Sequence, residues 1–154
     1  MRTLESWFAE YGESHRHPLN KKIHKVCVPL IFFSILAMLR AIPRPELMSV
    51  APDWALNWAT LNLVGPVVFY LLLDRVLFGL MLVQIALMLG ASELLFQASC
   101  GFSVGLALFV LAWAGQFYGH KVEGKKPSFL KDLAFLLIGP LWVTRAMLPG
   151  KKTT

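Results

Sequence analysis

WATLNLVGPVVFYLLLDRVLFGLMLVQIALMLGA, Trp58 to Ala91, is the stretch that decides the fold. Its only charged residues are Asp74 and Arg75. As one helix it would be ~50 Å long at 1.5 Å per residue. A hydrocarbon core is only ~30 Å thick. Two apolar segments, Trp58 to Leu73 and Val76 to Ala91, joined by a tight turn at Asp74-Arg75, fit better. That is a membrane hairpin.

The same pattern extends outward. An apolar segment, Val26 to Leu39, precedes the hairpin, and Pro18 is placed to open the helix that enters it. Between them, Arg40 to Asp53 holds Pro43, Pro45 and Pro52 and reads as a loop. A fourth segment, Phe102 to Tyr118, carries Gly105, Ala107, Ala112, Ala114 and Gly115, small residues that let membrane helices approach closely. Leu133 to Leu148 is interrupted by Pro140 and carries Arg145, so it reads as an interfacial or re-entrant helix. The expected fold is all-α, a multi-pass membrane bundle of about four transmembrane helices plus this C-terminal helix. It forms a single domain, 1–154, with a polar N-terminal arm (1–25), four transmembrane segments (26–118) and a basic C-terminal segment (119–154). The polar, mixed-charge start does not read as a cleavable signal peptide.

Composition agrees. Hydrophobic residues make up 56% of the chain, against roughly 45–50% in soluble domains. Formal net charge is +6. The basic residues flank apolar segments and do not line an aromatic-rich polar face. They are topological signals and contacts for anionic lipid, and they do not point to nucleic acid. Two cysteines, with no CxxC spacing, suggest neither a redox motif nor a thiolate metal site.

Charge placement predicts topology. Under four crossings, one side collects Arg2, Arg16, Lys21, Lys22 and Lys25, the turn residue Arg75, and Lys121, Lys125, Lys126, Lys131, Arg145, Lys151 and Lys152. The other side has only Arg40 and Arg44. The positive-inside rule then puts both termini in the cytoplasm. The membrane would be the inner membrane of a bacterium or the endoplasmic reticulum of a eukaryote.

That topology reunites the histidines. His15, His17 and His24 precede the first segment, and His120 follows the fourth. An even number of crossings returns His120 to the others, whereas an odd number separates them by a bilayer. Asn20 and His24 stand at i and i+4 on one helix face. Gln116, His120 and Glu123 form a second stripe if the helix continues past Gly119. Neutral imidazole is the commonest biological metal ligand. Glu123 would be a ligand or would orient a ligand histidine. The alternative is a non-enzymatic membrane protein that binds lipid or a partner, with interfacial histidines as structural anchors. Trp113, Phe117 and Tyr118 read as packing or interface residues. No GxSxG, phosphate loop, GxGxxG or HExxH is present.

At these residues the chain resembles the 2-hydroxy fatty acid dioxygenase family, named for metabolism of phytosphingosine to odd-numbered fatty acids, as a bacterial-type member. The N-terminal match is Tyr11, His15, Pro18, Asn20, His24 and Pro29 within YGESHRHPLNKKIHKVCVP. The C-terminal match is Gln116 to His120, Glu123-Gly124 and Pro127 within QFYGHKVEGKKPSF, and LLIGPLW also fits. His17 and Cys27 depart from residues often Asn and Gly in the family, so neither is carried into the site. The resemblance implies an Fe(II)-dependent membrane dioxygenase that shortens 2-hydroxy fatty acids by one carbon with O2. It implies His15, His24 and His120 as catalytic metal ligands, with Glu123 a further candidate. The acyl chain would lie among the apolar helices. Lys21, Lys22, Lys121 or Lys125 would hold its carboxylate at the interface.

Overall fold

A computed structural model describes residues 2–148, and its regular structure is entirely helical. Lys151 and Lys152, counted above in the basic tail, lie outside the described residues.

Helix α1 (Leu4–Glu13) occupies much of the expected polar arm. Thr3 caps it by accepting from the Ser6 amide. Leu4, Trp7, Phe8 and Tyr11 stand at i, i+3, i+4 and i+7 and bury one face. Trp7 meets Phe135 edge-on, with ring centroids 5.1 Å apart. The arm is thus a docked amphipathic helix.

Helix α2 (Pro18–Ala41) opens with proline in its first turn, where a missing N–H costs nothing. His17 caps it through Nδ1, which accepts from the Leu19 amide at 3.2 Å. The helix continues to Ala41, so Arg40 belongs to its last turn and not to the following loop. That loop contains a 3-10 turn, Glu46–Val50. The expected second segment divides at Leu63 into α3 (Trp58–Asn62) and α4 (Val64–Leu73). The turn at Asp74 is as expected, and its carboxylate caps α5 (Arg75–Gln97) by accepting from the Leu77 amide at 2.7 Å. Helix α6 (Gly101–Glu123) does run past Gly119, and α7 (Phe135–Met147) follows a 3-10 turn at Ser128–Leu130.

Helices α2, α5 and α6 are long and apolar enough to cross a membrane; Trp58–Leu73 is apolar but shorter. The helix directions explain its role. Glycines of α6 pack on α2 in descending register: Gly101 on Ala37 and Ala41, Gly105 on Ser34 and Met38, Gly115 on Cys27, Gly119 on Asn20. The two helices are therefore antiparallel along their full length. Helix α5 runs with α2, because Arg40 near the end of one pairs with Glu93 near the end of the other. The chain leaves α2 at one end of the bundle and must enter α5 at the opposite end. The stretch Trp58–Leu73, ~24 Å of helix, makes that return.

Helix α7 is buried without interruption from Ile138 to Thr144. It is inserted among α1, α2 and α5 and does not lie flat on their surface. At the other end of the bundle, buried Arg40 donates from Nε to Glu93 at 2.6 Å and from Nη2 to Asp53 at 2.5 Å. Arg44 pairs with the other oxygen of Asp53 at 3.1 Å.

Candidate metal centre

His15, His24 and His120 come from three places in the sequence: the α1–α2 link, the second turn of α2 and the last turn of α6. The structure brings them together at one end of the bundle. All three are buried, and their potential ligand atoms lie within 4.8 Å of one another. Ring centroids are 4.3 Å apart for His15 and His24, 5.0 Å for His15 and His120, and 4.9 Å for His24 and His120.

Two of the rings are oriented by the same local device. His15 Nδ1 lies 2.6 Å from the Tyr11 carbonyl oxygen, and His24 Nδ1 lies 3.0 Å from that of Asn20. A carbonyl only accepts, so each Nδ1 carries the proton and each Nε2 keeps its lone pair. In both cases the carbonyl belongs to the residue four before the histidine. The Tyr11 ring also stacks on His15, with centroids 4.0 Å apart and planes 13° from parallel.

His15 Nε2 and His120 Nδ1 are buried without a hydrogen-bond partner among the described residues. Burial pushes the His15 imidazole down to about 4. At neutral pH it is therefore an uncharged base with a free lone pair. Buried polar atoms are normally paired, and three neutral imidazoles facing one another suit a cation. The donor set thus fits a metal ion, as N ligands that leave coordination positions open.

Glu123 is engaged elsewhere. Its Oε1 accepts from the Arg16 amide at 2.9 Å, and Oε2 accepts from the His17 amide at 2.8 Å and from Asn20 Nδ2 at 3.1 Å. Asn20, fully buried, donates also to the Ser14 carbonyl at 3.1 Å. Together Glu123 and Asn20 fasten the segment that carries His15 to the helix that carries His120. Gly119 makes this possible, because a Cβ there would collide with Asn20 Oδ1. His17 is exposed and points away to its capping role.

The histidines line one end of a cavity of about 380 Å³. Val28, Ile31, Phe32, Ile35 and Leu36 of α2 line its apolar wall. From His24 to Leu36 that wall is ~18 Å long. Trp113 is part of the lining, while Phe117 and Tyr118 are exposed. None of the lysines expected near the head lines this cavity. Lys21 borders a separate space of about 190 Å³ on another side of His15. Lys125 donates to the Glu13 carbonyl at 2.9 Å, and Lys22 and Lys121 are exposed.

Sequence reasoning noted Tyr11, Asn20 and Gln116 by position and left them without roles. The signal was their common spacing, each four residues before a histidine. Trp142, whose ring centroid lies 5.6 Å from that of His15, carried no such signal.

The family model described as 2-hydroxy-palmitic acid dioxygenase Mpo1-like matches residues 1–151. The 2-hydroxy-palmitic acid dioxygenase MPO1 of Saccharomyces cerevisiae is 29% identical over 142 residues, covering 91% of this chain and 76% of the relative. No solved structure matches the chain. A membrane-type helical bundle, a buried three-histidine cluster and a match over nearly the whole sequence lead to one assignment: the chain belongs to the Mpo1-like family of 2-hydroxy-palmitic acid dioxygenases.

Proposed function

We propose that the protein is an Fe(II)-dependent membrane dioxygenase that shortens 2-hydroxy fatty acids by one carbon, with O2 as the oxidant. The observation that carries this reading is the cluster of three buried, neutral imidazoles at one end of an apolar cavity. His15, His24 and His120 would hold the iron. When bound there, the metal would supply redox chemistry toward O2 and a Lewis-acidic seat for the 2-hydroxyl.

The chain's own groups do the rest. Tyr11 and Asn20 fix two imidazoles through their carbonyls. Glu123 holds the His15 segment in place from behind the ligands. The apolar wall of α2 receives the acyl chain, removes it from water and leaves only the polar head beside the histidines. The histidine end, with its excess of lysine and arginine, faces the cytoplasm.

Purified protein is expected to carry one iron per chain and to consume O2 with 2-hydroxypalmitic acid. His24→Ala and His120→Ala should lose both metal and O2 uptake. Full turnover by either variant would overturn the ligand assignment. Stoichiometric zinc with no O2 uptake, or no metal at all, would overturn the dioxygenase reading.

A further inference from the structure

The head of the large cavity holds a second set of polar groups that metal binding does not use. Trp113, Gln116 and His120 stand at i, i+3 and i+7 on α6, so one helix face presents all three to the cavity. Ser128, in the 3-10 turn after α6, also lines it. The neighbouring Phe129 ring meets Trp113 edge-on at 5.1 Å.

Trp113 Nε1 and Ser128 Oγ are both buried with no hydrogen-bond partner among the described residues. Gln116 is 5% exposed and lines the same cavity beside them. Unpaired buried donors are rare in folded proteins and mark a missing acceptor. An indole N–H can only donate, so the missing partner must bring lone pairs. A carboxylate is acceptor-only and has about four lone-pair positions. The remainder of the cavity is largely apolar, so a molecule that fills it has one acceptor-rich end and a long hydrocarbon body. No lysine lines the cavity; the donors are neutral.

We propose that Trp113, Gln116 and Ser128 form the carboxylate cradle of a long-chain fatty acid, with the tail lying along the Val28–Leu36 wall. This rests on the reading of the cavity as a fatty-acid site. It replaces the interfacial lysines as the determinants of head-group recognition. The three residues are positioning residues: they fix which carbon of the chain stands beside the histidines.

The test is anaerobic binding to full-length protein in detergent micelles, by displacement of a fluorescent fatty acid. Palmitic acid and hexadecane, which has no acceptor, serve as competitors. Wild-type protein should prefer the acid. Trp113→Phe, which keeps the ring packing, and Ser128→Ala should each weaken acid binding about tenfold and leave hexadecane binding within about twofold. Ser128→Thr should restore the acid preference. Gln116→Leu should act like Ser128→Ala, with metal content equal to that of wild type as the sign that the fold is intact.

Unchanged discrimination in Trp113→Phe and Ser128→Ala overturns the cradle. An equal loss for acid and hexadecane also overturns it, because that reports packing alone. The reading of function fails separately. If wild-type protein shows no O2 uptake yet its acid preference depends on Ser128 and Trp113, the cradle stands without the dioxygenase. If O2 uptake is present and the variants keep full discrimination, only the cradle falls.

Discussion

Glu123 shows how much a residue's role depends on what its two oxygens already do. Spacing alone makes it first a salt-bridge partner of a nearby lysine, and beyond that either a metal ligand or the orienting partner of a ligand histidine. In the folded chain each oxygen accepts a backbone N–H, and one also accepts the Asn20 amide. Turning such a carboxylate toward a metal would strand two amides and a buried asparagine, and hydrogen bonds to a charged group contribute roughly 1.5–3 kcal/mol each. The two roles predict different behaviour. If Glu123 acts from behind the ligands, Glu123→Gln should keep one metal per chain, because an amide oxygen still accepts. Glu123→Ala should weaken metal affinity about 10–100-fold, the usual cost of losing an outer-shell partner, without abolishing stoichiometric loading. Metal titration followed by competition with a chelator measures both. If Glu123→Gln alone abolished loading, the carboxylate would be a ligand.

At the scale of elements, the contact between α2 and α6 decides whether the three histidines meet. The hydrophobic effect does not draw helices together within lipid, so close packing must. Gly105 is the tightest point that cannot relax: a Cβ there would stand 3.0 Å from the Ser34 carbonyl oxygen and 3.2 Å from the Met38 amide, both backbone atoms. Gly115 is more forgiving, since its nearest neighbour is the Cys27 side chain. Gly90 faces open space. Gly105→Ala should therefore cost about 1–3 kcal/mol, Gly115→Ala less, and Gly90→Ala nothing or a small gain in helix propensity. Unfolding in mixed micelles gives that order; a Gly90→Ala cost as large as that of Gly105→Ala would rule out the packing argument. This interface was partly legible beforehand, because small residues in the Phe102–Tyr118 segment marked it as a contact face. Gly101 and Gly119 were not legible as parts of it, because they lie beyond the apolar stretch. Helix α1 was legible and went unread: Leu4, Trp7, Phe8 and Tyr11 have helical spacing, but a polar composition masked the stripe. The three metal-facing histidines were readable from topology and motif. Ser128 and Trp142 were not, since each reaches the site through tertiary packing that no local spacing encodes.

The whole molecule has two unlike ends, and the difference is sharper than the count of basic residues implied. At the far end, Arg40 and Arg44 are both ion-paired, through Glu93 and Asp53, so neither contributes a free positive charge. The histidine end keeps exposed Arg16, Lys22, Lys25, Lys121 and Lys126. The charge bias that orients a membrane protein is carried by basic residues near the helix ends on the retained side, and here the opposite side has almost no free charge to oppose it. Helix directions add a second constraint, since α2 leads away from the histidine end and α6 returns to it. The chain should therefore present Lys22 to the cytoplasm and the 46–50 turn to the outside. Lys22→Cys and Leu47→Cys, both at exposed positions, can be made in a background lacking Cys27 and Cys100. A membrane-impermeant maleimide should label Leu47→Cys in intact cells and Lys22→Cys only after permeabilisation. The opposite pattern would invert the orientation while leaving the bundle intact. Labelling of both positions from one side would mean that α2, which alone separates them, does not cross the membrane. The histidine cluster would survive that second result as well, because the antiparallel contact of α2 with α6 brings His24 to His120 however the bundle lies against the membrane.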